Sequence, residues 1–312
     1  MEAGSEQLIQ RLKALADPVR LRLVALCSQG ECSVSELTRV LALSQPRVSQ
    51  HLRQLCDAGL LERFRDGHFV YYRVASGGGD AAGRRRLLSL IPGNEPQFAR
   101  DVRKLREQRH LEDADPVDAR DGRKDDRLLH RALLELTVAS PLGDLLDVGS
   151  GRGRVLKLLA SRARTAVGVD TDADARRHAR AELLLAGLPN CTLRQGDMYA
   201  LPFEDGCFDT VVLDEVLAGA TRPVEAIAEA ARCLRDSGRL IILATVPIER
   251  LPLEDAGKVA NRLARWCRGA GLRLAAPRSI PAAAPRWLLA IATHADSADT
   301  EPAPSKPAEV AA

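Results

Sequence analysis

Alternating glycines and acids offer the clearest chemistry in the chain. Leu145 to Gly153 reads LLDVGSGRG, an apolar strand running into a turn in which Asp147, Gly149, Gly151 and Gly153 alternate as D-x-G-x-G-x-G. Glycine at every second residue lets the backbone turn tightly and lets a ligand lie against it. Apolar residues at helical spacing follow in RVLKLLASRAR, and a second short apolar run, TAVGVD, ends on Asp170. An acid about twenty positions past such a turn is placed to accept hydrogen bonds from both ribose hydroxyls, which selects an adenosine-type ligand. A dinucleotide-binding fold stays open on these residues, although its fingerprint is G-x-G-x-x-G.

A second group of candidates lies near the amino terminus. In LSQPRVSQHLRQLCDAG, Val48, Leu52 and Leu55 share one helical face, and Gln45, Arg47, Ser49, Gln50, Arg53 and Gln54 populate the other. Gln and Arg can read adenine and guanine edges in the major groove, although a solvated helix face fits the segment equally well by itself. Its neighbours favour the recognition reading. Helices are predicted near Glu6–Ala16 and Pro18–Ser28, and Ser33 with Glu36 forms a capping box that starts a third helix with Leu37, Val40 and Leu41 inward. After Gly59, LLERFRDGHFVYYRV gives two β-rich runs joined at Asp66-Gly67, a type I′ hairpin signal. A helix-turn-helix with a hairpin appended is a winged helix, and its wing tip would carry Arg65 and His68 toward DNA.

The elements between and beyond these stretches complete a multidomain plan. Ala75–Gly83 is glycine-rich and reads as a flexible joint, and Asp113–Asp126 as a second hinge. The helices between them carry Arg84 to Arg86 and the charges from Arg100 to Glu112, read as a solvated surface. A helix over Arg127–Ala139 would turn Leu128, Ala132 and Leu136 inward. Strands and helices then alternate in a doubly wound pattern, with strands ending near Val148, Asp170 and Asp197, another over Phe208–Asp214, and RLIILAT after a helix opened by Thr221 and Pro223. Ligands of such sheets sit at the carboxyl ends of the strands, which gathers Asp147, Asp170, Asp197 and Asp214. The expected divisions are a winged helix-turn-helix (α+β) at 1–76, a linker with a dimerisation helix at 77–126, an α/β doubly wound Rossmann-like domain at 127–295 and a disordered tail at 296–312.

Two resemblances sharpen this plan. The segment from LADPVRLRLVALC to FVYYRV resembles the ArsR-type winged-helix repressors, which implies a dimer on a double-stranded DNA operator, with Gln45, Arg47, Ser49, Gln50, Arg53, Arg65 and His68 facing DNA. Metal-sensing members carry two cysteines where this chain has Ser33 and Ser35, and hydroxyls are poor ligands for soft metals, so no metal is expected. Cys32 stands one position away without a partner cysteine at chelating spacing. The region from the glycine loop onward resembles class I S-adenosylmethionine-dependent methyltransferases. That resemblance implies binding of S-adenosylmethionine or S-adenosylhomocysteine by Asp147, Gly149, Ser150, Gly151, Gly153, Asp170, Thr171 and Asp214, with Asp197 and Met198 at the adenine. The combination is similar to S-adenosylhomocysteine-responsive regulators, in which the second domain senses rather than methylates. Members commonly carry a His-Gln pair where this chain has Asp214 and Glu215.

Composition narrows the function classes. A formal charge of +3 over 312 residues places any nucleic-acid surface in local clusters of basic groups rather than bulk charge. Seven cysteines, an odd count without a C-x-x-C pair, suit a reducing, cytoplasmic setting; Cys27, Cys56 and Cys233 fall on apolar helical faces. No run approaches the length of a membrane span. Aromatic content of 3% leaves few stacking platforms for a nucleobase acceptor. Asp214 and Glu215 are candidate bases, but carboxylates there can equally bind the ligand's ammonium group or cap the next helix. The leading expectation is a dimeric, ligand-responsive repressor; the alternative is an active methyltransferase with an appended winged helix.

Overall fold

A computed structural model describes residues 2–75, 80–92, 95–112, 123–246, 256–281 and 287–295. The expected tail, most of the second hinge and residues 76–79 of the first joint lie outside the described residues. The chain forms two compact units, Met1–Ala200 and Leu201–Ala312.

In the first unit, α1 (Glu2–Leu15) and α2 (Pro18–Cys27) precede β1 (Cys32–Ser33), α3 (Val34–Leu41) and α4 (Gln45–Asp57). Asp17 caps α2 by accepting from the Val19 and Arg20 amides, both at 2.9 Å, and Pro18 occupies the first turn, where no amide is needed. The capping box on α3 is complete: the Glu36 amide donates to Ser33 Oγ at 3.3 Å and the Ser33 amide to Glu36 Oε2 at 2.6 Å. Ser33 is thereby committed to holding a helix start. Val48, Leu52 and Leu55 are fully buried, as the periodicity of α4 requires.

The wing consists of β2 (Leu61–Asp66) and β3 (Phe69–Val74), antiparallel, with Asp66 opposite Phe69. This register makes Gly67 and His68 the two loop residues and places Asp66 in the strand, one position earlier than the Asp-Gly signal suggested. Among the described residues only Gly67 of this pair has a left-handed φ, +58°. A type I′ turn needs two, so the pattern is that of type II′, which wants glycine first.

The wing is followed by α5 (Ala81–Leu88) and α6 (Pro96–Glu112). Residues 81–83, expected in the joint, are helical because Asp80 caps them through the Gly83 amide. Most of the charges here are solvated, as expected, Arg85, Arg86, Arg100, Arg103, Lys104 and Glu107 being exposed, but three are not. Arg84, Asp101 and Arg109 are buried; Arg22 grips Asp101 through Nε at 2.6 Å and Nη2 at 2.8 Å, tying α6 to α2. Leu87 and Leu105 join the winged-helix core.

Next come α7 (Arg123–Ala139), β4 (Asp144–Val148), α8 (Arg154–Leu159), β5 (Thr165–Asp170), α9 (Ala173–Leu185) and β6 (Cys191–Gln195). On α7 the inward residues are Leu129, Ala132 and Leu133, whereas Leu128 is 44% exposed and Leu136 half-buried. Two leucine stripes one residue apart both satisfy helical spacing, and packing selects the second. Strands β4, β5 and β6 are parallel in that order. Leu184 of α9 belongs to the same core as Leu23, Leu37 and Leu52, so the winged helix and α9 share buried apolar surface.

In the second unit, β7 (Phe208–Asp214), α10 (Pro223–Arg232), β8 (Leu234–Thr245), α11 (Ala256–Gly269), β9 (Leu272–Leu274), β10 (Arg278–Ile280) and β11 (Trp287–His294) follow in sequence. β8 lies parallel to β7 on one side and antiparallel to β11 on the other; β9 and β10 pair with β11. The residue before α10 is Arg222 without a side-chain cap, so Pro223 rather than Thr221 sets that helix start.

Candidate functional site

The loop between β4 and α8 has the backbone its glycines predict. Gly149, Gly151 and Gly153 adopt φ of +67°, +50° and +78°, a region where a Cβ is strained. The Ser150 amide donates to the Val169 carbonyl at 3.0 Å and the Gly153 amide to the Ser150 carbonyl at 2.8 Å, so the loop is fixed to β5 and to itself. A Cβ on Gly151 would meet nothing within 4 Å, which leaves an open face above the loop. Ser150 Oγ is buried and has no hydrogen-bond partner among the described residues.

Asp170, half-buried at the end of β5, is aimed at this loop. Its Oδ2 accepts from the Gly151 amide and its Oδ1 from the Asp172 amide, both at 2.8 Å. Each carboxylate oxygen retains acceptor capacity after one such bond, so ribose hydroxyls can be added without displacing either. Asp172 in turn caps α9 through the amides of Asp174 and Ala175. Thr171 is exposed beside it. Asp197 is exposed after β6, accepting from the Tyr199 amide at 3.0 Å, with Met198 half-buried next to it. Asp147 is 1% exposed within β4. The loop, Asp170 and Asp197 therefore fit an adenosine-type ligand: an open glycine face, an oriented acid and an accessible acid at successive strand ends.

Three positions in this unit lie outside the motifs and matter as much. A Cβ on Gly168 would come within 2.6 Å of Leu156 Cδ1, 2.7 Å of Ser150 Oγ and 2.9 Å of Leu193 Cδ1, so any larger residue there makes three side-chain ends shift. Its place inside TAVGVD, two residues before Asp170, is the signal that could have shown it. Arg176 and Arg180 are buried on α9 at i, i+4 beside Ala179 and Leu183. Their spacing on the apolar stripe is what betrays them.

Asp214 and Glu215 belong to the second unit. Asp214 ends β7 half-buried; Glu215 is exposed, with φ +58° and its amide donating to the Leu243 carbonyl at 3.0 Å. A non-glycine residue held left-handed is uncommon and marks a fixed turn.

The winged helix presents the residues expected to face DNA. Gln45, Arg47, Gln50 and Arg53 are exposed on α4, Ser49 is half-buried, and Arg65 and His68 are exposed on the wing. Gln54 is engaged by Arg20 Nη1 at 2.6 Å and braces α4 against α2.

Beneath this surface lie ionised groups. Burial alone would raise the Glu36 carboxyl, but Arg109, with Nε 2.6 Å from Oε1, holds it below the usual carboxylate range. Burial opposes the charge on Asp66 likewise, and Arg176 and Arg180 hold that carboxyl low as well. Burial raises the thiols of Cys191, to about 12, and Cys56, to about 11, so neither is a thiolate at neutral pH. Cys27, Cys32 and Cys233 are buried and Cys56 half-buried, all as free thiols. Among the described residues no group of three or more His, Cys, Asp or Glu is placed to hold a metal ion, and no helix is long and apolar enough to cross a membrane.

Comparison with known proteins divides along the same lines. Residues 17–63 match the family described as bacterial regulatory protein, arsR family, and residues 146–242 match the methyltransferase domain family. The arsenic resistance transcriptional regulator ArsR1 of Pseudomonas putida is 51% identical over 63 residues, covering 20% of this chain and 49% of that protein. Nocamycin O-methyltransferase of Saccharothrix syringae is 33% identical over 171 residues, covering 54% of this chain and 59% of that one. The chain thus spans about half the length of the curated relatives it matches. Among solved structures, a SAM-dependent methyltransferase from Aquifex aeolicus aligns at 17% identity with a TM-score of 0.47, over 60% of this chain and 97% of that one. The two family matches make this chain an ArsR-family helix-turn-helix domain joined to a methyltransferase domain of Rossmann-like fold.

Proposed function

We propose that the chain is a dimeric, cytoplasmic transcriptional repressor that binds a double-stranded DNA operator, with S-adenosylhomocysteine or S-adenosylmethionine as its effector. The observation that carries this reading is the pairing, in one compact unit, of an exposed polar face on α4 with a glycine loop whose acid, Asp170, is already oriented by the Gly151 amide. Gln45, Arg47, Gln50 and Arg53 supply base and backbone contacts, with Ser49, Arg65 and His68 beside them. Asp170 and Thr171 take the ribose, and Asp197 and Met198 the adenine. Gly149, Ser150, Gly151 and Gly153 receive the remainder, with Asp147 on the strand that leads into them. On this reading residues 1–76 read DNA, 77–126 link and support dimerisation, and 127–295 bind the effector. Leu8, Ile9 and Leu12, each about half exposed along α1, favour a dimer because they form an apolar stripe at helical spacing on the surface.

Calorimetry of the purified chain against S-adenosylhomocysteine and S-adenosylmethionine, followed by operator binding with and without the ligand that binds, tests the proposal. Binding that changes operator affinity is the expected result. Binding of neither ligand, or ligand binding without any effect on DNA affinity, overturns it.

A further inference from the structure

The wing is anchored from inside by α9, the helix that follows β5. Asp66, the last residue before the wing turn, is 5% exposed. Arg176 donates to its carboxylate through Nε at 3.1 Å to both oxygens and through Nη2 at 2.5 Å to Oδ1, while Arg180 Nη2 reaches Oδ2 at 2.5 Å. The remaining edge of the Arg176 guanidinium is turned the other way. Its Nη1 donates to the backbone carbonyl of Asp170 at 2.8 Å.

One rigid planar fork thus touches the turn of the DNA-reading wing and the main chain of the acid proposed to hold the ribose. A second branch runs parallel to it: Arg180 Nε donates to Glu31 Oε2 at 2.8 Å, and the Leu193 amide on β6 donates to the same oxygen at 3.2 Å. Arg109 closes the group by donating to the carbonyls of Arg180 and Glu31, at 3.0 and 2.7 Å. The Arg180 guanidinium also lies 4.1 Å over the Tyr71 ring of β3. Ordinary domain packing needs no such group, since apolar contact at Leu184 already joins α9 to the winged helix. Replacing a buried ionic cluster by apolar packing is often neutral or stabilising, so its presence calls for a role besides packing.

We propose that Arg176 is the positioning residue that couples occupancy of the Asp170 site to the set of the wing, with Asp66 as its receiving group. The inference rests on the function proposed above and assigns its regulatory route. Ligand hydroxyls engaging the Asp170 carboxylate bias a residue whose carbonyl Arg176 holds, and the same guanidinium fixes the wing turn through Asp66. Lysine cannot make both contacts, because it is a point charge rather than a fork.

The test uses the full chain, S-adenosylhomocysteine, and a duplex selected by the wild-type protein from a random pool. For wild type, Asp66→Asn and Arg176→Lys, ligand affinity is measured by calorimetry, and duplex affinity with and without ligand. Wild type should show a ligand-dependent change in duplex affinity of about 5- to 150-fold, the range typical of allosteric coupling. Asp66→Asn should bind ligand within about threefold of wild type while its duplex affinity changes less than about twofold on adding ligand, and Arg176→Lys should lose the response likewise. Coupling of wild-type size in both variants overturns the inference and leaves the functional reading intact; a wild type without coupling overturns both. Hydrogen exchange on the wild-type chain covers the case of a variant that does not fold. Ligand added without DNA should change protection across residues 61–74, and unchanged protection there counts against the route.

Discussion

Gly168→Ala is the sharpest test of how the ligand loop is held. The substitution adds one methyl group to a strand residue whose φ is ordinary, so any cost comes from space. That methyl would stand 2.6 Å from Leu156 Cδ1, 2.7 Å from Ser150 Oγ and 2.9 Å from Leu193 Cδ1. Leu156 and Leu193 are 0% and 1% exposed, so their side-chain ends can move only by repacking the core around them, and the Ser150 hydroxyl must shift as well, which disturbs the loop between Gly149 and Gly151. Overpacking of this kind costs about 1–3 kcal/mol. For a domain of this size the melting temperature should fall by about 2–12 °C. Ligand affinity should fall with it, because the Gly151 amide must stay within reach of Asp170. Calorimetric melting and a titration with S-adenosylhomocysteine read the two effects separately. Gly151→Ala supplies the contrast: it meets no neighbour but must hold φ +50°, so its penalty of about 1–2 kcal/mol is backbone strain. A Gly168→Ala chain that melts and binds like wild type would refute the packing argument.

Replacing Asp170 by Ala removes the oriented acceptor and should weaken S-adenosylhomocysteine binding at least about tenfold while leaving duplex affinity without ligand in the wild-type range; calorimetry and a gel-shift titration check both halves. Arg47→Ala or Gln50→Ala should reduce discrimination between a selected duplex and a scrambled one by about 1–3 kcal/mol, read as a ratio of dissociation constants. Ser33→Ala removes one half of the α3 capping box and should cost about 1 kcal/mol in denaturant unfolding. Acid should loosen the first unit. Glu36 and Asp66 titrate below their ordinary values when folded, so each contributes stability that is present above about pH 4.5 and lost as pH falls through its folded value. Unfolding midpoints should therefore decline as pH falls below about 4.5, with a shallower decline in Glu36→Gln, whose stability at neutral pH is already reduced.

The elements were legible where a local rule decides them. The capping box at Ser33 and Glu36, the buried triplet Val48, Leu52 and Leu55, and the left-handed glycines 149, 151 and 153 each follow from a few adjacent residues, and the structure has all of them. Where two local solutions tie, the sequence cannot choose. The α7 leucines offer two stripes, and the Asp66-Gly67 pair offers two turn registers one residue apart. The second case matters most, because register decides where the acid points. Had Asp66 been a loop residue, as the Asp-Gly signal implied, its carboxylate would be solvated and Arg176 would have no wing partner. Pairing it with Phe69 instead places it in the strand, buried under α9 and 110 residues from Arg176 in sequence. No window of ten or twenty residues contains that contact, and by composition alone a buried arginine looks like a surface one. The residues proposed to bind were thus readable from spacing, whereas the group proposed to make the two sites answer each other exists only once the chain is folded.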